Sequence, residues 1–491
     1  MLTVTISNAI RFQVTPEFKR QYPGLLQAIR SDLVIPNPDF LEAKRLGRST
    51  RRIPRELHVY DWDQSSGIIS IPRGYWTRLQ EHLIRAGVPF EVECRMLTLP
   101  PVNFGSRIQL RDYQAAPGEA MMAAGGGILE APPGSGKTSM GLEILARIGQ
   151  PALWLTHTRD LMDQARDRAA EFLSIPAKEI GMIGAGQDRV GPRLTIALVQ
   201  ALAARGPLGE LAGRFGAVLI DEVHHSPANT WRAVIDHFPA RYRFGVTGSL
   251  KRADGLEIIA HLVLGPTVAE IARDHVQASG GTITPRLVVI RTEAVSQAWE
   301  EFQRQHEAWA ALKASQAVGG FVPREPRLDY RAILDEILAN PERNRLIVET
   351  VLQHAAGHCS LVLSERVAHC EALATMLQAR APAIRVAVIH GGLGKMERRQ
   401  IIEAARSGDL DVLLAVDIAK EGLDIPRLDR LHRVAGGRDP VETKQTVGRI
   451  QRPCPGKADA LVFDYVDFGI GMLRAQHYAR RRVYKELGMI G

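Results

Sequence analysis

Three short stretches of this chain carry residues suited to handling a nucleoside triphosphate. Ala131 to Thr138 reads APPGSGKT, after the apolar run Gly127-Ile128-Leu129 and before the helix-forming SMGLEILARI. In such a loop Gly134 and Gly136 let backbone N–H groups turn toward phosphate oxygens, with Pro133 and Ser135 as the loop residues before and between them. Lys137 reaches the outer phosphates, and the Thr138 hydroxyl is a magnesium ligand. The following helix adds the positive end of its dipole. Ala131 stands where the strict pattern has its first glycine. The second stretch is Asp221-Glu222-Val223-His224, at the end of the apolar run Ala217 to Ile220. In-line hydrolysis needs an ion to neutralise charge and a positioned water. Asp221 is expected to hold magnesium through its water shell while Glu222 polarises the attacking water. His224 is expected to link this site to Val246-Thr247-Gly248-Ser249, whose hydroxyls would relay nucleotide state. A zinc site at His224 and His225 is disfavoured, since adjacent residues diverge on extended backbone and no cysteine stands near.

The third stretch is Gln445 to Arg452, QTVGRIQR, where Arg449 and Arg452 are read as neighbours on one helical face. Arginine presented from a second domain stabilises the charge that develops in phosphoryl transfer. Glu421-Gly422-Leu423-Asp424-Ile425-Pro426 follows the strand-like VLLAV and would set an acid, Asp424, near the ribose or an interdomain cleft.

The elements that must position these residues read as two α/β units. From Ile108 to about Ala272 short apolar runs (GGILEA, PALWLT, LTIAL, AVLIDE, RFGVTG) alternate with helical patterns, as in a parallel sheet covered by helices. The phosphate loop falls in its first βα turn, where such folds bind ligands. A second unit, with SLVLS, RVAVIH, DVLLAV, LHRVAG and ALVFDYV, begins near Asn344 and has no phosphate loop of its own. The domains expected are an α+β accessory domain over 1–104, a first α/β domain over 105–275 and a helical linker over 276–334. A second α/β domain over 335–470 and a basic C-terminal helix over 471–491 complete the chain. Within the linker, Ala294 to Ala317 consists of helix formers with no core-like strand.

The chain has 491 residues, 45% of them apolar, and a net charge of +8, with a pI near 9.4. That balance favours a polyanionic partner. Cys94, Cys359, Cys370 and Cys454 lie far apart with no CxxC pair, which speaks against a disulfide framework or a structural zinc. No run approaches the roughly 18 apolar residues of a membrane span, so a soluble cytoplasmic protein with no membrane partner is expected.

Taken in order, these stretches resemble the superfamily 2 helicases of the DEAD/DEAH type, from about Ile108 to Asp467. LRDYQ, with Gln114, is similar to the adenine-sensing Q motif. APPGSGKT, THTRDLMDQ, DEVH and TGS resemble motifs I, Ia, II and III, and TIALVQ, ending at Gln200, resembles a DNA-contacting motif. SERVAHCEAL, AVDIAKEGLDIP and QTVGRIQR resemble motifs IV, V and VI, with IHGG as the adjoining strand-contacting loop. DEVHHSPA and GVTGSLKRADG are closest to the xeroderma pigmentosum group B type repair helicases and their phage and bacterial kin. The chain departs from those patterns at Ala253, within the Arg-Ala-Asp triplet, at Gly248 in motif III and at Val416 in motif V.

The resemblance implies two RecA-like domains with ATP and Mg2+ between them, Gln445, Arg449 and Arg452 acting in hydrolysis, and Gly422 and Asp424 near the nucleotide. It implies movement along DNA, single-stranded, duplex or branched, rather than RNA. The alternatives are a DNA-binding ATP switch, or a motor serving a nuclease or a replication or repair partner. The basic stretch Lys44, Arg45, Arg48, Arg51, Arg52 and Arg55 would extend the DNA groove, while Trp62 and Trp76 read as core residues.

Overall fold

In the computed structural model the described residues are 1–45, 47–223, 228–248, 250, 255–315, 324–416 and 425–490. They fall into two compact units, Met1–Val276 and Gln277–Gly491. Among the described residues no helix is long and apolar enough to cross a membrane.

The first unit opens with a mixed sheet of order β5-β6-β2-β1-β7. Its strands are β1 (Leu2–Ile6), β2 (Ala9–Gln13), β5 (Asp61–Asp63), β6 (Ile68–Pro72) and β7 (Phe90–Cys94), while β3 (Val34–Pro36) and β4 (Glu56–His58) form a separate ribbon. Alternation in LTVTI buries Leu2, Val4 and Ile6 against the helices Pro23–Leu33 and Trp76–Arg85. Trp62 and Trp76 pack on the edge of this core, as expected. The small sheet is fastened to the rest of its unit by backbone acceptors. Arg73 donates to the carbonyls of Ala240 (2.5 Å) and Arg241 (3.0 Å), and the buried Arg243 donates to that of Asn8 (2.8 Å).

The remainder of the unit is a sheet of order β11-β10-β12-β9-β13-β14-β8-β15. It comprises β8 (Gly126–Glu130), β9 (Ala152–Thr156), β10 (Gly181–Gly184), β11 (Gln187–Arg189), β12 (Leu194–Leu198), β13 (Ala217–Asp221), β14 (Tyr242–Thr247) and β15 (Thr267–Glu270). All neighbours pair parallel except β10 with β11. Its strands are apolar on both faces because helices cover both. Leu129, Trp154 and Leu219 point into one core, and Ile128, Leu153, Leu155, Val218 and Ile220 into the other.

The second unit holds a parallel sheet of order β16-β21-β20-β17-β19-β18. Its strands are β16 (Arg286–Thr292), β17 (Ser360–Ser364), β18 (Val386–Ile389), β19 (Val412–Val416), β20 (Arg430–Arg433) and β21 (Leu461–Asp467). These are two parallel α/β sheets of the RecA-like type, with a small α+β sheet before them. The sequence reading of 276–334 as helical needs correction at one element. RLVVIRT forms β16 and pairs along β21 from Arg286–Leu461 to Thr292–Asp467. It is an edge strand whose Val288 and Val289 remain exposed, and the flanking arginines hide its apolar run. The helix Gln297–Ser315 follows it as expected. The basic C-terminal helix, Gly471–Glu486, turns Arg480 inward rather than to solvent.

Candidate functional site

The phosphate loop connects β8 to the helix Lys137–Ile148. Ser135 N–H donates to the Pro132 carbonyl at 3.1 Å, closing a turn. Gly134 and Gly136 both take φ of +82°, a conformation that L side chains rarely adopt. A Cβ on Gly136 would also stand 2.6 Å from the Gln114 amide nitrogen. Gln114 itself is buried. Its Nε2 donates to the Ser135 carbonyl at 2.6 Å, and its Oε1 accepts from Arg111 N–H at 2.9 Å. Gln114, expected from the sequence to sense adenine, braces the phosphate loop. Ser135 Oγ is buried with no hydrogen-bond partner, beside a helix N-terminus whose first N–H groups have no partner within the helix. That donor set fits a phosphate.

Beside the loop lie the C-terminal ends of β14 and β13, so three neighbouring parallel strands deliver their residues to one edge. Ala131 N–H donates to the Thr247 carbonyl (2.9 Å) and Glu222 N–H to that of Val246 (2.9 Å), which locks the three ends together. Lys137 Nζ donates to the Ala131 carbonyl at 3.1 Å and lies 3.5 Å from Glu222 Oε1. The other Glu222 oxygen accepts Gly248 N–H at 3.2 Å. Because a backbone N–H makes this contact, glycine in the middle of the TGS stretch costs nothing there. Glu222 adopts φ of +52°, a strained value for a residue bearing a side chain. Glu222 thus contacts the TGS segment directly at Gly248. His224 and Ser249 lie outside the described residues.

Asp221 is buried at the end of β13. Burial, reinforced by the Glu222 charge and opposed by Lys137, pushes its carboxyl up to about 7. An acid so placed calls for added positive charge, and a divalent cation supplies it. Asp221 and Thr138 are the residues that would hold it.

In the second unit the helix Pro440–Ile450 is capped by Asp439, whose carboxylate accepts from Val441 and Glu442 N–H, with Pro440 in the first turn. It buries Thr443, Thr446, Val447, Gly448 and Ile450, and leaves Gln445 and Arg449 part-exposed. The sequence reading of Arg449 and Arg452 as helical neighbours is corrected here. The helix stops at Ile450, and Arg452 lies beyond its Gln451 cap. Pro453 explains the stop, since the residue before a proline is disfavoured in the helical region. Gly422 and Asp424 lie outside the described residues. Ser364 and His369 of the motif IV stretch form a buried chain with Asn344 of the helix Pro341–Gln353, with links of 2.8 and 3.0 Å. Lys457 was not singled out by its sequence. Its ammonium donates to the carbonyls of Leu428 (2.6 Å), Arg452 (2.8 Å) and Pro426 (3.2 Å). Its only sequence signal was the Pro-Gly turn just before it.

Residues 107–252 match the family described as Type III restriction enzyme, res subunit, and 342–454 match the Helicase conserved C-terminal domain. The DNA 3'-5' translocase XPB2 of Sulfurisphaera tokodaii is 27% identical over 80% of this chain and 89% of its own. Probable helicase D10 of Escherichia phage T5 is 26% identical over 74% of this chain and 72% of its own. The DNA 3'-5' helicase XPB of Kineococcus radiotolerans is 26% identical over 70% of this chain, but the match spans only 57% of that protein. With both helicase regions present in order around the phosphate loop and the arginine helix, the chain belongs to the superfamily 2 helicases close to the XPB group.

Proposed function

We propose that this protein is an ATP-driven DNA helicase or translocase that converts hydrolysis in its first unit into movement along a DNA strand. The observation that carries the reading is the cluster of Lys137, Glu222 and Gly248 at three adjacent strand ends beside the phosphate loop. Lys137 and the loop N–H groups bind the triphosphate, Asp221 and Thr138 hold Mg2+, and Glu222 orients water. Mg2+ itself would neutralise charge on the phosphates. Gln445, Arg449 and Arg452 of the second unit act in hydrolysis by stabilising the charge that develops.

DNA is gripped through its backbone with little base preference, and the exposed basic stretch from Lys44 to Arg55 adds to that grip. The designations of the XPB relatives make 3'-to-5' the direction to test first. The deciding experiment is ATP turnover alone and with single-stranded DNA, duplex DNA, forks and RNA, followed by strand-displacement and triplex-displacement assays. DNA-stimulated turnover with displacement is expected. Turnover indifferent to any nucleic acid would overturn the proposal. Stimulation without displacement in either assay would leave a stationary ATP switch, and triplex displacement without unwinding would favour a motor serving a nuclease partner.

A further inference from the structure

Lys457 lies outside every stretch assigned a role above, yet it joins two of them. Its position is set by the turn Cys454-Pro455-Gly456-Lys457. Lys457 N–H donates to the Cys454 carbonyl at 3.0 Å, proline occupies the second place and Gly456 the third with φ of +81°. That is the chemistry of a type II turn, which needs a positive φ at its third residue. Space around Gly456 is open, so the glycine is required by backbone conformation and not by crowding. The turn folds the lysine stem back beneath the end of the arginine helix.

There the ammonium meets three carbonyls, those of Leu428, Arg452 and Pro426. A lysine ammonium has three donors and no acceptor, so each hydrogen has one oxygen. Two of the oxygens belong to the turn Ile425 to Leu428, closed by Leu428 N–H on the Ile425 carbonyl at 3.2 Å. This turn follows directly on the Glu421-Gly422-Leu423-Asp424 stretch. The third oxygen belongs to Arg452, which stands past the helix end and before a proline that has no N–H to offer. Past the helix end, the Lys457 contact holds the Arg452 backbone at its carbonyl.

We propose that Lys457 is a positioning residue for hydrolysis: its ammonium ties the Arg452 backbone to the Pro426–Leu428 turn and so holds Arg452 in place. The proposal rests on the reading that Arg452 acts in ATP turnover. Burial, aided by the Arg452 charge and opposed by Asp429, Cys454 and Cys359, pulls this lysine down to about 8. The tripod is therefore complete at neutral pH, and an amine with two donors would leave one carbonyl unmet.

The test is steady-state, DNA-stimulated ATP turnover of Lys457→Met beside wild type and Arg452→Ala. Lys457→Met is expected to lower kcat ~10- to 100-fold, the scale of a small misplacement of a catalytic group. KM for ATP should stay within about twofold, because only the transition state feels the arginine. Should Lys457→Met not fold, Lys457→Arg keeps the charge but replaces the compact tripod with a planar fork, and the same split at smaller size is expected. Wild-type kcat in either folded variant, or a loss confined to KM, overturns the proposal if Arg452→Ala is impaired. Wild-type turnover by Arg452→Ala instead removes the reading on which it rests.

Discussion

Lys137 and Glu222, 85 residues apart in sequence, meet at 3.5 Å, with Gly248 N–H holding the second oxygen of the carboxylate. An ammonium and a carboxylate this close, and mostly buried, each fix the other's rotamer. Lys137→Ala should therefore abolish ATP turnover, by removing the phosphate contact and leaving Glu222 without its cation. Glu222→Gln keeps the shape and the Gly248 contact but cannot polarise water. It should bind ATP and turn it over ~100- to 10,000-fold more slowly, the usual contribution of a general base. Filter-binding of labelled ATP beside a phosphate-release assay separates the two, and normal release by either variant would refute the assignment.

Gln114 makes a different prediction from the one its motif suggests. Both ends of its amide are engaged on backbone, one of them the Ser135 carbonyl of the phosphate loop. If its work is to brace the loop, Gln114→Ala should weaken every purine triphosphate alike. Loss of a buried hydrogen bond of ~1.4 kcal/mol corresponds to about a tenfold rise in KM. KM for ATP and for GTP should rise together. A rise for ATP alone would restore the role of base sensor.

The parts of the molecule legible in the sequence were those where one residue type serves one purpose. GSGKT, the apolar run before DEVH and the alternation of β and α patterns fixed the parallel sheets and the strand edge that carries the loop. What stayed hidden depended on partners far along the chain. The RLVVIRT strand reads as ambiguous because an edge strand keeps apolar side chains in solvent, and its pairing with β21 comes from residues more than 170 positions later. Arg452 was misplaced because helical spacing was extended two residues past Ile450, although Pro453 was there to stop it. Lys457 was invisible because its partners are backbone carbonyls, which every residue has.

The stretch from Lys44 to Arg55 offers six exposed cations, and of these only Arg45 has a described ion-pair partner, Glu42 at 3.9 Å. Exposed cations without acidic neighbours are available to phosphates. If Arg48, Arg51 and Arg52 each neutralise one, the triple alanine variant should bind duplex DNA more weakly and reduce the slope of log affinity against log salt by ~2 to 3. Fluorescence anisotropy across a salt series reads this directly. An unchanged slope would make the stretch a solvated loop. Because the contacts are to the backbone, the loss should be equal for sequences of different composition.

Asp464, fully buried on β21, is held by His477 at 2.9 Å and by both Nε (3.2 Å) and Nη2 (2.7 Å) of Arg480. This cluster pins the C-terminal helix to the sheet. Burial alone would raise the carboxyl, but the Arg480 charge and the His477 and Arg480 hydrogen bonds outweigh it and hold Asp464 below its usual value. A carboxylate depressed in the folded state stabilises the fold in full above its unfolded pKa of about 3.9, and this contribution is lost as pH falls through the lower folded value. Asp464→Asn removes the charge and leaves the guanidinium buried without its counter-ion, a change that costs ~3–5 kcal/mol. Urea unfolding followed by circular dichroism should show that loss at pH 7 and a smaller one at pH 3, below the unfolded pKa, where proton uptake by the unfolded chain has already reduced the contribution. A loss under ~1 kcal/mol at pH 7, the worth of an exposed pair, would mean that the helix is held by its apolar contacts through Val483 and Tyr484 instead.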